Sequence, residues 1–323
     1  MNMQTRSVFS QHLTINTVSE IKKNILATLA YFDAFNYPLT REEVCLFLTV
    51  KFERQIFDDA LACLMRDRLV FRFDKFYSLK NDQYLVQRRT KGNQKAFEMV
   101  KTARRVGNLL IKFPYVRGIA ISGSLSKNYA DDGSDIDLFI ITAANRLWIA
   151  RTLMHCLKKL TFLVNKQHCF CMNYYIDEQQ LEIAEKNIYT ATEVVTLIPI
   201  QGDTTFADFF TANAWTRNFL PNHIMRVSSA KSEKKSFLKS AVEFLFNNKL
   251  GDFLDDNFMK VTIARWDQKT RAKKLNDHGF LLAIAADKHY AKPDPKNFQF
   301  NLISRFENKV AQLLEENQHS VAN

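Results

Sequence analysis

VRGIAISGSLSKNYADDGSDIDLFIIT, Val116 to Thr142, is the stretch whose reading decides the fold. Val116 to Ser122 is rich in β-branched residues and reads as a buried strand. A glycine-bearing turn and a short helix follow, and Asp135 to Thr142 reads as a second buried strand. Side chains alternate along a strand, so Asp135 and Asp137 point the same way. Two carboxylates side by side are costly unless cations neutralise them. Hard oxygen ligands of this kind suit Mg²⁺ or Mn²⁺. Gly123 allows close backbone approach to a phosphate, and the amides and hydroxyl at Ser124 can bind its oxygens. Lys127 lies one turn further on, placed to meet the same negative charge, and Ser134 closes the Asp131-Asp132-Gly133-Ser134 turn before the acidic pair. An Asp-x-Asp alone is weak evidence, since solvated Asp pairs are common. Here the pair opens an apolar run and follows Gly123-Ser124 after ten residues.

Ser122-Gly123-Ser124 with Ser134-Asp135-Ile136-Asp137-Leu138 resembles the signature of the DNA polymerase β-like nucleotidyltransferase superfamily. That resemblance implies metals held by Asp135 and Asp137, a nucleoside triphosphate (ATP is the expected one) held at Gly123 and Ser124, and transfer of its nucleotidyl group to an acceptor. The acceptor is not readable: a small molecule, a protein side chain and an RNA end all stay open. Leu181 to Ile200 is similar to the helical region of aminoglycoside nucleotidyltransferases. The superfamily usually adds a third carboxylate from a later strand. In this sequence that strand is CFCMNYYID, with Cys171, Asn173 and Tyr175 on one face and Phe170, Met172 and Tyr174 on the other. Asn173 stands where the acid is expected. Asp177, Glu178 and Glu182 are the candidate substitutes, and Cys169 and Cys171 read as core residues, because two thiols alone make no zinc site.

Upstream, Val18, Ile21, Ile25, Leu29 and Phe32 recur at helical spacing. Thr40 and Glu43 form a capping-box signal for a helix from Arg41. A third helix is expected over Glu53 to Arg66, followed by a hairpin over Leu69 to Leu79 that turns at Asp74 and Lys75. Three helices and a hairpin resemble a winged helix. Acidic Glu53, Asp58 and Asp59 near the start of the third helix oppose phosphate contact, which favours a scaffold with weak, non-specific nucleic-acid affinity. A basic helix is expected from about Asn93 to Lys112, and another from Asn145 to about Leu160. Beyond Glu178 the pattern is mainly helical, with a polar linker at Ser228 to Ser236 and a loop at His289 to Asn297. The expected architecture is therefore a winged helix-like domain (residues 1–95), an α/β nucleotidyltransferase core (96–227) and a helical C-terminal region (228–323).

Composition sets the outer limits. The chain has 323 residues, enough for two or three domains, with only 8 Gly and 6 Pro, which points to long helices. No apolar run is long enough for a membrane span, and the N-terminus lacks the pattern of a signal peptide. Five cysteines without a C-x-x-C pair suggest a reduced, cytoplasmic protein. The net charge of +11 favours polyanionic partners, and its largest share falls after residue 221. Lys231, Lys234, Lys235 and Lys239 there are candidates for nucleic-acid contact or a solvated face. Lys288, His289 and Lys292 are weaker candidates for an acceptor pocket. The rival reading is a non-catalytic nucleotide- or nucleic-acid-binding regulator.

Overall fold

The computed structural model describes residues 17–162, 171–223, 230–231, 236–274, 284–293 and 298–321. Helix α1 (Val18–Asp33) starts where the Thr17 hydroxyl accepts from the Glu20 amide. After β1 (Leu39–Thr40), helix α2 (Arg41–Phe47) is closed by the full Thr40–Glu43 capping box. Helix α3 (Arg54–Arg66) buries Phe57, Ala60, Leu61 and Leu64, the face its spacing predicts. Strands β2 (Phe71–Phe73) and β3 (Phe76–Ser78) form the hairpin, and Asp74 takes a left-handed backbone at its turn. β1 adds to β3, giving a three-stranded antiparallel sheet. Of the acids near the start of α3, Asp58 is held by Arg41 at 2.5 Å and Asp59 accepts from Gln55.

Helix α4 runs unbroken from Tyr84 to Leu110, nine residues earlier than its expected start at Asn93. The Asp82 carboxylate accepts from the Tyr84 amide and opens it. Arg89, which polarity alone would place in solvent, is buried instead. Its guanidinium pairs with Glu43 at 2.7 Å, donates to the Pro38 carbonyl at 2.9 Å and lies 3.6 Å from the centre of the Tyr37 ring. The far half of α4 places Ala96, Ala103 and Leu110 in the central core. Residue 95 is thus in the middle of one continuous helix.

The central sheet is mixed. Strand β4 (Val116–Ile121) leads through helix α5 (Gly123–Ser126) to its antiparallel partner β5 (Asp137–Thr142). Helix α6 (Leu147–Phe162) crosses to β6 (Cys171–Asp177), which pairs parallel with β5, as a crossover of that length permits. Helix α7 (Ile188–Thr196), β7 (Ile198–Gln201) and α8 (Asp203–Ala212) complete this unit. Leu138, Ile140, Trp148, Met172 and Tyr175 pack on one side of the sheet; Phe139, Ile141, Ile176, Phe206 and Phe209 pack on the other.

The remainder is not purely helical, which corrects the expectation for residues 228–323. Helices α9 (Phe237–Phe246) and α10 (Lys249–Arg271) are followed by strands β8 (Ile284–Ala286) and β9 (Tyr290–Pro293), then by helix α11 (Phe298–Val321). β9 pairs antiparallel with β6, so the sheet order is β7-β4-β5-β6-β9-β8. The first half of the expected His289–Asn297 loop is therefore strand; residues 294–297 lie outside the described residues. The physical reason is pairing: β6 has a free edge, and its open backbone groups recruit a distant segment that propensity alone does not mark. Lys239, read as surface, is also buried, where its ammonium donates to the carbonyls of Ile111 and Val116. Lys234 and Lys235 lie outside the described residues. No helix among the described residues is long and apolar enough to cross a membrane.

Candidate functional site

The turn between β4 and α5 sets the geometry. Gly123 adopts φ +64°, a left-handed conformation that glycine takes without steric cost. Its position leaves no room for a side chain: a Cβ there would stand 2.4 Å from Oδ2 of Asp137. The Ser122 amide donates to the Asp137 carbonyl at 2.9 Å, locking the turn against the start of β5. Ser124 is exposed at the head of α5, and the Ser126 hydroxyl turns back to the Gly123 carbonyl.

Strand β5 begins at Asp137, so Asp135 precedes it in an exposed stretch, with Ile136 buried between the two acids. The Ile136 carbonyl still accepts from the Cys171 amide at 2.7 Å, which keeps the backbone in register with β6. Asp137 is half-buried, and its carboxyl is pushed up to about 7 by loss of water, then by the charges of Asp135 and Glu193; Lys127 and Lys158 oppose the shift.

Glu193 is the residue that reading the sequence missed. It lies on α7 among buried Ala191, Thr192, Val194 and Val195, and it is the one charged residue in Ile188–Thr196. A lone acid on an otherwise neutral helix was the available signal. Its carboxylate pairs with the Lys127 ammonium at 2.8 Å, and Lys127 also donates to the Gly123 carbonyl at 3.2 Å. The Thr196 and Ser126 hydroxyls meet at 3.5 Å, tying α7 to α5 a second time. The Tyr37 hydroxyl donates to the Lys127 carbonyl from the N-terminal unit. Lys158 reaches Cys171 with its ammonium 3.6 Å from the thiol, which burial pushes up.

The other candidates fall elsewhere. Ser134 bonds back to Asp131 within its own turn, by its hydroxyl at 2.8 Å. Asp177 stands opposite Thr142, at the far end of β5 from Asp137, roughly 17 Å along a strand rising about 3.3 Å per residue. Its fully buried carboxylate accepts from the Asn145 and Gln179 amides and meets Nδ1 of His289 at 3.0 Å. It ties the end of β6 to the turn before β9, and the structure does not bring it to the acidic pair. The Glu178 amide bonds to the Thr142 carbonyl at that same end, and Glu182 pairs with Lys186 at 2.5 Å. Lys288 pairs with Asp256, and Lys292 pairs with Glu185 while lining a small pocket with Tyr174, Glu182 and Tyr290.

The alternation expected for β6 also needs correction. A register shift between Leu138 and Phe139 inserts Asn173 as an extra residue opposite β5. Beyond it the faces exchange: Met172 and Tyr175 share one core, while Tyr174 and Ile176 share the other. Cys171, not Asn173, is the register partner of Asp137. The side chain of Asn173 lies outside what is described, as does Cys169.

Three acids act on one small region, and a glycine cradle lies against one of them. Among the described residues no three His, Cys, Asp or Glu side chains are gathered around a single point. Replacing Gly123 with Ala tests the cradle. It should cost about 1–2 kcal/mol through the left-handed backbone, and it should displace the Asp137 carboxylate. Thermal unfolding and divalent-cation titration report the two effects; cation binding unchanged from wild type would show that the close approach is incidental. Comparison of the chain with models of known families, with curated proteins and with solved structures gives no match in any of the three.

Proposed function

We propose that the chain is a metal-dependent nucleotidyltransferase that transfers a nucleoside monophosphate from a nucleoside triphosphate, ATP being the expected donor, to an acceptor. The observation that carries this reading is the packing of Gly123 against Asp137, which joins the phosphate-binding turn to the acidic pair. The strand–turn–helix–strand order around it, with Glu193 and Lys127 beside it, is further support. The finer identification of the core with the DNA polymerase β-like superfamily, and of residues 17–79 with a winged helix, belongs to the same proposal.

Asp135 and Asp137 would hold Mg²⁺ or Mn²⁺. When bound, such ions neutralise charge on the polyphosphate and lower the pKa of an acceptor hydroxyl. Gly123 and Ser124 bind the triphosphate oxygens from the turn. Lys127 adds a positive charge at the same point, and Glu193 holds its ammonium ready at the rim. The acceptor oxygen attacks the α-phosphorus, the bond to the β-phosphate oxygen breaks, and pyrophosphate leaves. The arrangement favours in-line displacement because the turn fixes the donor while the exposed side of Asp135 stays open to the acceptor.

The test is incubation with each labelled triphosphate and Mg²⁺, reading pyrophosphate release and labelling of the protein itself. Release with one nucleotide supports the reading; none with any nucleotide and no cation-dependent binding sinks it. Glu193→Gln gives a second check. Freed from its partner, Lys127 should bind triphosphate with altered affinity while turnover falls about 10-fold or more, the scale of a displaced charged group. Unchanged kcat and KM would remove Glu193 from the site.

A further inference from the structure

Between α6 and β6 the fold buries two polar atoms that find no hydrogen-bonding partner among the described residues, and sets a largely buried arginine beside them. Arg151 is 9% exposed. Its guanidinium carbon lies 5.6 Å from the Trp148 ring centre and 5.8 Å from that of Tyr175, and no described carboxylate pairs with it. Among the described residues the hydroxyl of fully buried Tyr175 has no partner, and neither does Nε2 of His155. His155 sits one helical turn beyond Arg151, with its ring 6.3 Å from that of Tyr175.

The charges around this cluster are of one sign. Burial pushes the His155 imidazole down to about 3, and Arg151, Lys158, Lys159 and Lys269 push it the same way. A buried guanidinium without a counter-charge is costly, and a buried hydroxyl without a partner adds to the cost. Cation–π contact with two aromatic rings compensates the guanidinium in part, but leaves its in-plane donors unused among the described residues. An oxyanion would use them: a guanidinium fork grips two oxygens, while a phenol and an Nε2–H imidazole donate to others.

We infer that Arg151, His155 and Tyr175 form a binding site for an oxyanion, with phosphate, free or as the end group of a larger ligand, as the fitting chemistry. The site is separate from the Gly123–Asp137 turn and does not depend on the activity proposed for it. Lys158 connects the two, since it stands on the same helix and its charge acts on Asp137.

The experiment titrates the full chain with inorganic phosphate, exchanging it for chloride at constant ionic strength, and follows thermal unfolding and calorimetric binding. Wild type should gain several degrees at saturation. Arg151→Met should lose the response, and Tyr175→Phe, which keeps the ring, should weaken binding about tenfold. Ser124→Ala should leave it intact, which separates this site from phosphate held at the turn. If Arg151→Met does not fold, the Tyr175→Phe result decides alone. No response in wild type, or the same response in Arg151→Met or Tyr175→Phe, would overturn the site and leave Arg151 as an aromatic-stacked packing residue. A response lost in Ser124→Ala would overturn it too, by placing the phosphate at the turn. A larger ligand is distinguished from the free ion by repeating the titration with a phosphate monoester, which binds tighter only if the site opens onto further contacts.

Discussion

Asp137→Asn is expected to do two opposite things: raise the stability of the metal-free protein and abolish cation-dependent turnover. In an unfolded chain an aspartate ionises near about 3.9. In the folded protein Asp137 keeps its proton up to about 7. Between those values the folded state binds more protons than the unfolded state, so this carboxyl subtracts stability as pH rises, and the penalty is complete above 7. Asparagine cannot ionise and escapes it. Because the group is partly open to water, the gain at pH 8 should be about 2 kcal/mol, seen as a Tm rise of roughly 4–8 °C that vanishes near pH 4. Turnover should fall at least about 10²–10³-fold, the scale on which removing one preorganised charge acts. Scanning calorimetry across pH, with and without Mg²⁺, checks both. A variant with full activity, or with no pH-dependent gain, would remove Asp137 from the centre of the site.

Arg89→Ala is expected to be strongly destabilising, although the residue is charged. The guanidinium is 2% exposed, and it joins α4 to Glu43, to the Pro38 carbonyl and to the Tyr37 ring. Its removal leaves one buried carbonyl and the Oε1 end of Glu43 without their donor, and opens a space beside two aromatic rings. Breaking a buried pair costs about 3–5 kcal/mol; Glu43 is partly solvated here, so about 3 kcal/mol is expected. Urea unfolding measures it. Arg89→Lys should recover less than half, because a single ammonium cannot make the forked contacts. A loss under about 1 kcal/mol would mean the helix is held by its apolar residues alone.

What could be read from the sequence was what local chemistry decides. Thr40 and Glu43 lie three residues apart and cap each other, so their helix start is written in four residues. The two strands around Gly123 are rich in β-branched residues, and the mixed α/β character follows from them. Contacts between distant segments were less legible. Nothing near Asn173 announces the extra residue that exchanges the faces of β6, because a bulge is a property of two strands together. Strand β9 contains Lys292 and Pro293 and reads as loop until β6 offers it an edge. Glu193 becomes meaningful only once α7 is laid beside Lys127, 66 residues earlier. Of the candidate site, then, Gly123, Ser124, Asp135, Asp137 and Lys127 lie in one stretch, while Glu193, which pairs with Lys127, comes from another.

The pairing of β9 with β6 has a practical meaning for anyone who wishes to isolate the central unit. Residues 96–227 look self-sufficient along the chain, yet the neighbour of β6 is supplied by Tyr290 and Ala291, and Asp177 reaches its histidine from the same segment. A protein ended at residue 227 would present β6 with one row of unsatisfied amides and carbonyls and a buried carboxylate with one donor missing. Such a strand pairs with whatever is nearest, including its own copies. Shortened versions of this chain should therefore precipitate or self-associate, and supplying the missing hairpin in trans is the natural remedy.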